Sequence, residues 1–156
     1  MPVLKLVPFA DALVKGAPIA GLDLGTKTIG VAVSDTSLMI ASPLALIRRT
    51  KFTEDVATLF TLMDKRGAAA LVIGLPVNMD GTEGPKCQSV RAFGRHLLHL
   101  KDLPISYWDE RLSSAAVNRV LIDEADATRG RRAEVVDKMA AAWILLGALD
   151  RIARTP

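Results

Sequence analysis

Asp23 is the single charge in an otherwise apolar run, Pro18–Leu24 (PIAGLDL). Burying a lone carboxylate is costly unless a donor network or a metal pairs with it. The ordinary alternative is an Asp that caps the following turn. The sequel, Gly25-Thr26-Lys27-Thr28-Ile29-Gly30, sets a hydroxyl and an ammonium between two glycines, which lets backbone approach a phosphate closely. A second acidic group, Asp109-Glu110-Arg111, ends the run Pro104–Asp109 (PISYWD). Strand alternation puts Trp108 and Glu110 on one face and Tyr107 and Asp109 on the other, so only one of the acids can point at a given site. A surface turn in which Arg111 pairs an acid locally is the competing reading. The third acid, Asp137, lies among Val136, Met139, Ala140, Ala141, Trp143 and Ile144. The helix dipole favours acids in a first turn, but Glu134 already serves that purpose.

Three carboxylates on separate elements suggest a hard divalent cation, Mg²⁺ or Mn²⁺. Cys87 is the only cysteine and His96 and His99 the only histidines, so a zinc cluster is excluded. Two such ions about 3.5–4 Å apart can activate a water and stabilise the leaving oxygen of a phosphodiester. Arg129-Gly130-Arg131-Arg132, with Lys27, Arg111, Arg48 and Arg49, could supply phosphate contacts; a solvated loop is the plainer reading of the arginine run. Seven aromatic residues (two Trp, one Tyr, four Phe) argue against a base-stacking platform. The stretch Gly74–Pro85 (GLPVNMDGTEGP) can rim a site, with Asn78 placed to bond substrate or orient a ligand. Cys87 opens a helix whose dipole could lower its pKa, but no partner His accompanies it, so it reads as a bystander.

The elements that must position these residues follow from periodicity. Pro18–Leu24, Gly30–Ser34 and Ala41–Ile47 read as an antiparallel meander. Thr53–Arg66 has helical spacing (Val56, Leu59, Phe60, Met63), with Thr53 as N-cap and Gly67 as stop. Ala68–Leu75 is a continuous apolar run, the mark of a strand buried on both faces. Pro85–Leu100 is predicted helical, Pro104–Asp109 a strand, Leu112–Glu124 a helix, Asp126–Arg132 a loop, and Glu134 to about Arg154 a helix. Strands that first run together and then alternate with helices give an α/β domain: a mixed sheet with helices on both faces.

At 156 residues the chain fits one domain, able to bury roughly 68–70% of its unfolded surface without disulfide or structural metal. A hydrophobic fraction of 50% with 24% charged residues excludes disorder and low complexity. No run reaches the ~20 apolar residues of a membrane span, and Pro8, Asp11 and Lys15 break any signal-peptide core. The expected compartment is the cytoplasm. A net charge of +3 permits an anionic partner without demanding one. Residues 1–17 read as a short leader with no assigned role.

Four segments in order carry a family resemblance: Gly21–Asp35 (GLDLGTKTIGVAVSD), the Gly74–Pro85 loop, Asp109–Ser113 (DERLS) and Val136–Ala141 (VDKMAA). From about residue 18 onward the chain resembles the YqgF/RuvX family of small bacterial proteins with the ribonuclease H-like fold of Holliday-junction resolvases. The resemblance implies a five-stranded mixed sheet whose first three strands are antiparallel. It also implies that Asp23, Glu110 and Asp137 form the acidic metal-binding triad, which chooses Glu110 over Asp109. Thr28 stands where an Arg is common, removing one phosphate contact.

The function so implied is a metal-dependent endonuclease with Mg²⁺ or Mn²⁺, as a pair of ions, maturing the 5′ end of pre-16S ribosomal RNA. Lys27, Asn78, Arg111, Arg131 and Arg132 would contact structured RNA, inside the ribosomal particle or free of it. The alternatives are resolution of branched DNA (Holliday junctions), which calls for two sites and hence a homodimer rather than a monomer, and a non-catalytic RNA-binding factor in ribosome maturation or transcription. No membrane partner is expected.

Overall fold

Three strands of the sheet run parallel and end at one edge, and that edge is where the acids gather. The computed structural model describes residues 4–112 and 129–154, with the side chains at 7 and 129–138 outside the described set. The sheet comprises β1 (Ile19–Leu24), β2 (Thr28–Ser34), β3 (Ala41–Arg48), β4 (Ala70–Leu75) and β5 (Ile105–Asp109), in the order β3-β2-β1-β4-β5. β1 pairs antiparallel with β2 (Asp23 opposite Gly30) and parallel with β4 (Leu22 opposite Ile73). β4 pairs parallel with β5 (Leu75 opposite Asp109), and β2 pairs antiparallel with β3. The expected mixed sheet with an antiparallel first half is what forms.

Alternation divides the core in two. One face carries Ala20, Leu22, Leu71, Ile73 and Ile105 beneath α2 (Phe52–Arg66) and α3 (Pro85–Leu100). The other carries Ile19, Ala70 and Val72 beneath α1 (Leu6–Asp11) and α4 (Arg129–Ala153), through Phe9, Ala141, Ile144, Leu145 and Ala148. β4 is buried along its whole length, as its unbroken apolar run requires. α4 lies close on the sheet because small residues line the contact. A Cβ on Gly21 would sit 2.8 Å from Leu145 Cβ, and one on Gly147 2.8 Å from the Trp108 indole.

Several expectations are corrected. The N-terminal segment is structural: α1 buries Phe9 completely, and the Leu4 N–H donates to Ile105 O at 2.8 Å, covering part of the β5 edge. Six residues are too few to show a helical period or to hold a helix alone, so tertiary packing forms this one. Thr53 is not the N-cap of α2; Lys51 occupies that position, and the buried Asp55 carboxylate instead accepts the Thr50 N–H and hydroxyl. Gly67 does end the helix, in the left-handed conformation at φ 71°. The final helix starts at Arg129, so Arg129–Arg132 are helical rather than looped, as a run with arginines and alanine and no proline allows. Asp137 consequently falls more than two turns inside α4, beyond the reach of a first-turn dipole argument. The helix expected over Leu112–Glu124 lies, beyond Leu112, outside the described residues.

Candidate active site

β1 delivers Asp23 one residue before its end, on the face that meets α4, because Ile19 and Gly21 precede it at period two. β5 ends at Asp109, and a 3₁₀ turn (Glu110–Leu112) begins at once. Glu110 stays on the Trp108 side and reaches across the end of β4 to Asp23. The passage exists because residue 74 is glycine: a Cβ there would meet Ile144 Cδ1 at 2.5 Å and Glu110 Oε1 at 2.8 Å. The Glu110 carboxyl hydrogen-bonds the Asp23 carboxylate. Burial, then the charge of Asp23, pushes the Glu110 pKa up to about 8, with Lys86 acting the other way. Near neutral pH the pair therefore shares a proton.

Asp109 goes elsewhere. Its carboxylate accepts a two-pronged bond from Arg111, at 2.9 Å from Nε and 2.5 Å from Nη2, which holds its pKa low. The same guanidinium reaches the carbonyls of Asn78 and Met79 at 3.4 and 3.5 Å. Asn78 in turn bonds the Thr82 hydroxyl through Nδ2 at 3.1 Å, while Asp80 accepts the Thr82 N–H and hydroxyl. Arg111 and Asn78, expected at the nucleic acid, thus latch the Gly74–Pro85 loop to the end of β5. Lys27 is exposed at the β1–β2 turn and is not among the pocket's lining residues. The side chains of Arg131, Arg132 and Asp137 lie outside the described residues, so among the described residues two acids meet, not three.

A pocket of about 320 Å³ opens beside the pair, lined by Asp23, Thr26, Arg49, Lys86, Ser89, Phe93 and Glu110. Arg49 clamps the β1–β2 turn twice: its N–H donates to Lys27 O at 2.8 Å and its Nη1 to Gly25 O at 2.7 Å. Sequence reasoning missed Lys86 and Ser89. The available signal was Pro85, which fixes a helix start and therefore places the next residues at the strand ends.

The donor set fits a hard divalent cation. Two oxygen ligands that repel when both ionise, and that share a proton otherwise, are relieved by a cation placed between them.

A family model described as "RuvX: Holliday junction resolvase" matches residues 17–151. The chain belongs to the RuvX family. A relative from Caulobacter vibrioides, named as a candidate pre-16S rRNA nuclease, is 68% identical over 153 residues, covering 97% of this chain and 98% of its own length. One from Rhodospirillum rubrum with the same name is 64% identical over 154 residues, covering 99% and 96%. Among solved structures, Thermus thermophilus RuvC in complex with Holliday junction substrate aligns with a TM-score of 0.52 at 14% identity, covering 87% of this chain and 96% of that one. The fowlpox virus Holliday junction resolvase aligns with a TM-score of 0.51 at 14% identity, covering 86% and 99%. These likenesses establish the ribonuclease H-like fold of this RuvX member.

Proposed function

We propose that this chain, acting as one nuclease domain, is a divalent-metal-dependent endonuclease that cuts structured RNA in maturing the 5′ end of pre-16S ribosomal RNA. The observation that carries the chemistry is the hydrogen-bonded Asp23–Glu110 pair at the carboxyl ends of parallel strands, where sites in open α/β sheets gather. The RNA substrate comes from the names of relatives that match nearly the whole chain.

Asp23 and Glu110, with Asp137 from α4, would hold Mg²⁺ or Mn²⁺ as one or two ions. A cation bound there supplies activation of a water and neutralisation of charge building on the phosphate. The protein's own groups do the rest. Asp23 and Glu110 would hold the cation as carboxylates, their shared proton passing to solvent. Gly74 keeps the Glu110 carboxylate free to reach Asp23. Arg49 holds the Gly25–Lys27 backbone in place, so that Lys27 and the turn meet a phosphate in a fixed geometry. Arg131 and Arg132 would steer the strand.

The family description favours a second reading, resolution of branched DNA, in which two copies of the chain would act together. The deciding experiment offers end-labelled 5′-leader RNA and a four-way DNA junction to wild type and Asp23→Asn, with Mg²⁺ or Mn²⁺ and with chelator. Metal-dependent cutting of the RNA, lost in the variant while circular dichroism is unchanged, is the expected result. Cutting of the junction alone moves the substrate to DNA; equal cutting by the variant removes Asp23 from the site.

A further inference from the structure

Two cations, Arg49 and Lys86, line the pocket beside the acidic pair, and the Lys86 charge is felt by the Glu110 carboxyl. Arg49 spends one guanidinium nitrogen on Gly25 O at 2.7 Å, and Lys86 is exposed and lines the same pocket. Lys86 also stands in the first turn of α3, which contains no acid; a cation there works against the helix dipole. Two cations on one cavity, next to the strand ends where the acids meet, suit the phosphate of a bound strand. Thr26 and Ser89, each with a hydroxyl, line the same space.

The pocket's shape narrows the ligand. Its volume of about 320 Å³ is roughly that of ten waters, enough for a phosphate and part of its sugar. Phe93 is 5% exposed, its ring is met edge-on by Phe52 at 5.3 Å, and the Arg49 guanidinium lies 6.0 Å over its face. A base therefore finds no open ring to stack on, and the recognition is of backbone rather than sequence.

We infer that Arg49 and Lys86, with Thr26 and Ser89, form a phosphate subsite for the nucleotide next to the scissile bond on the cut strand. This rests on the nuclease reading above for the position of the scissile bond. The subsite makes Lys86 a substrate-positioning residue that acts on strand binding through charge.

The test is a short RNA from the 5′ leader, prepared with one neutral methylphosphonate at each phosphate in turn. Binding is measured by fluorescence anisotropy in chelator, so that no cleavage is needed. Lys86→Ala is the primary variant, because Arg49→Ala would also release the Gly25 turn. One methylphosphonate should weaken wild-type binding about fivefold, and Lys86→Ala should weaken the unmodified strand by a similar factor, the range for a charge-assisted contact at a partly exposed site. The two changes combined should add less than about twofold, Lys86→Arg should restore binding, and the dependence of log K on log salt should flatten by about one charge. During cleavage the loss should fall on KM rather than kcat. Full additivity at every phosphate, or no loss with Lys86→Ala, overturns the subsite. So does competition by millimolar inorganic phosphate that leaves strand binding by Lys86→Ala equal to wild type, since that describes a free-anion site. Binding without cutting under any metal refutes the nuclease reading while the scan still decides the subsite, and absent binding overturns both.

Discussion

Glu110→Gln should disable the protein as a nuclease and, without metal, make it more stable at alkaline pH. The Glu110 carboxyl has its pKa raised from 4.5 to about 8, by burial first and the Asp23 charge second. A folded state that holds a proton the unfolded chain has released is favoured below the unfolded pKa. It loses that advantage as pH rises, so wild-type stability falls between about pH 4.5 and pH 8. Each pH unit of such a gap is worth about 1.4 kcal/mol, which caps the loss at roughly 5 kcal/mol. Glu110 keeps partial contact with solvent, and screening brings the expected loss to roughly 2–3 kcal/mol. The glutamine amide can still donate to Asp23 but cannot ionise, so the variant avoids this fall. Thermal melts in chelator should coincide at pH 5 and separate by pH 8.5, with the variant roughly 4–10 °C higher, given about 2–4 °C per kcal/mol for a domain of this size. Mg²⁺ at pH 8.5 should raise the wild-type midpoint and leave the variant nearly unmoved. Parallel stability curves for the two proteins across this range would refute the shared-proton account.

Other perturbations test other parts of the argument. Asp23→Asn should lower RNA cleavage by about a hundredfold or more with the fold intact, read by gel assay and circular dichroism. Gly21→Ala should destabilise by roughly 1–3 kcal/mol in urea melts, since the new methyl lands on Leu145 Cβ at 2.8 Å. Phe9→Ala empties a fully buried site beneath α4 and should cost about 3–5 kcal/mol; a loss below about 1 kcal/mol would mean that α1 is not docked. Arg111→Lys keeps the charge but not the fork to Asp109, so limited proteolysis should cut near Met79–Gly81 faster than in wild type.

Much of the fold was legible because its signals are local. The unbroken apolar run of β4 announced a strand buried on both faces, and Gly67 and Pro85 marked a helix end and a helix start in place. What was not legible depended on contacts between distant segments. α1 exists because Phe9 finds a pocket under α4, which six residues of pattern cannot encode. Asp55 displaced Thr53 at the start of α2 because a carboxylate can reach back to Thr50. At the site, alternation left Asp109 and Glu110 equal. The structure separates them through Gly74, which admits Glu110, and Arg111, which engages Asp109. The loop contacts of Arg111 and Asn78 are set by tertiary packing, which residue type does not reveal.

The docking of Leu4 and α1 bears on where this protein begins as a physical object. The family match starts at residue 17, yet the cooperative unit takes in residues well before it: Leu4 bonds the edge strand at Ile105, and five residues further along the chain is Glu110. A unit of descent defined by shared motifs and a unit of folding defined by burial need not share a border. Here the segment outside the motifs caps one sheet edge, where bare backbone would otherwise invite pairing with another chain. Loosening Leu4 or Phe9 would thus uncover part of the β5 edge, on the strand that leads to Glu110.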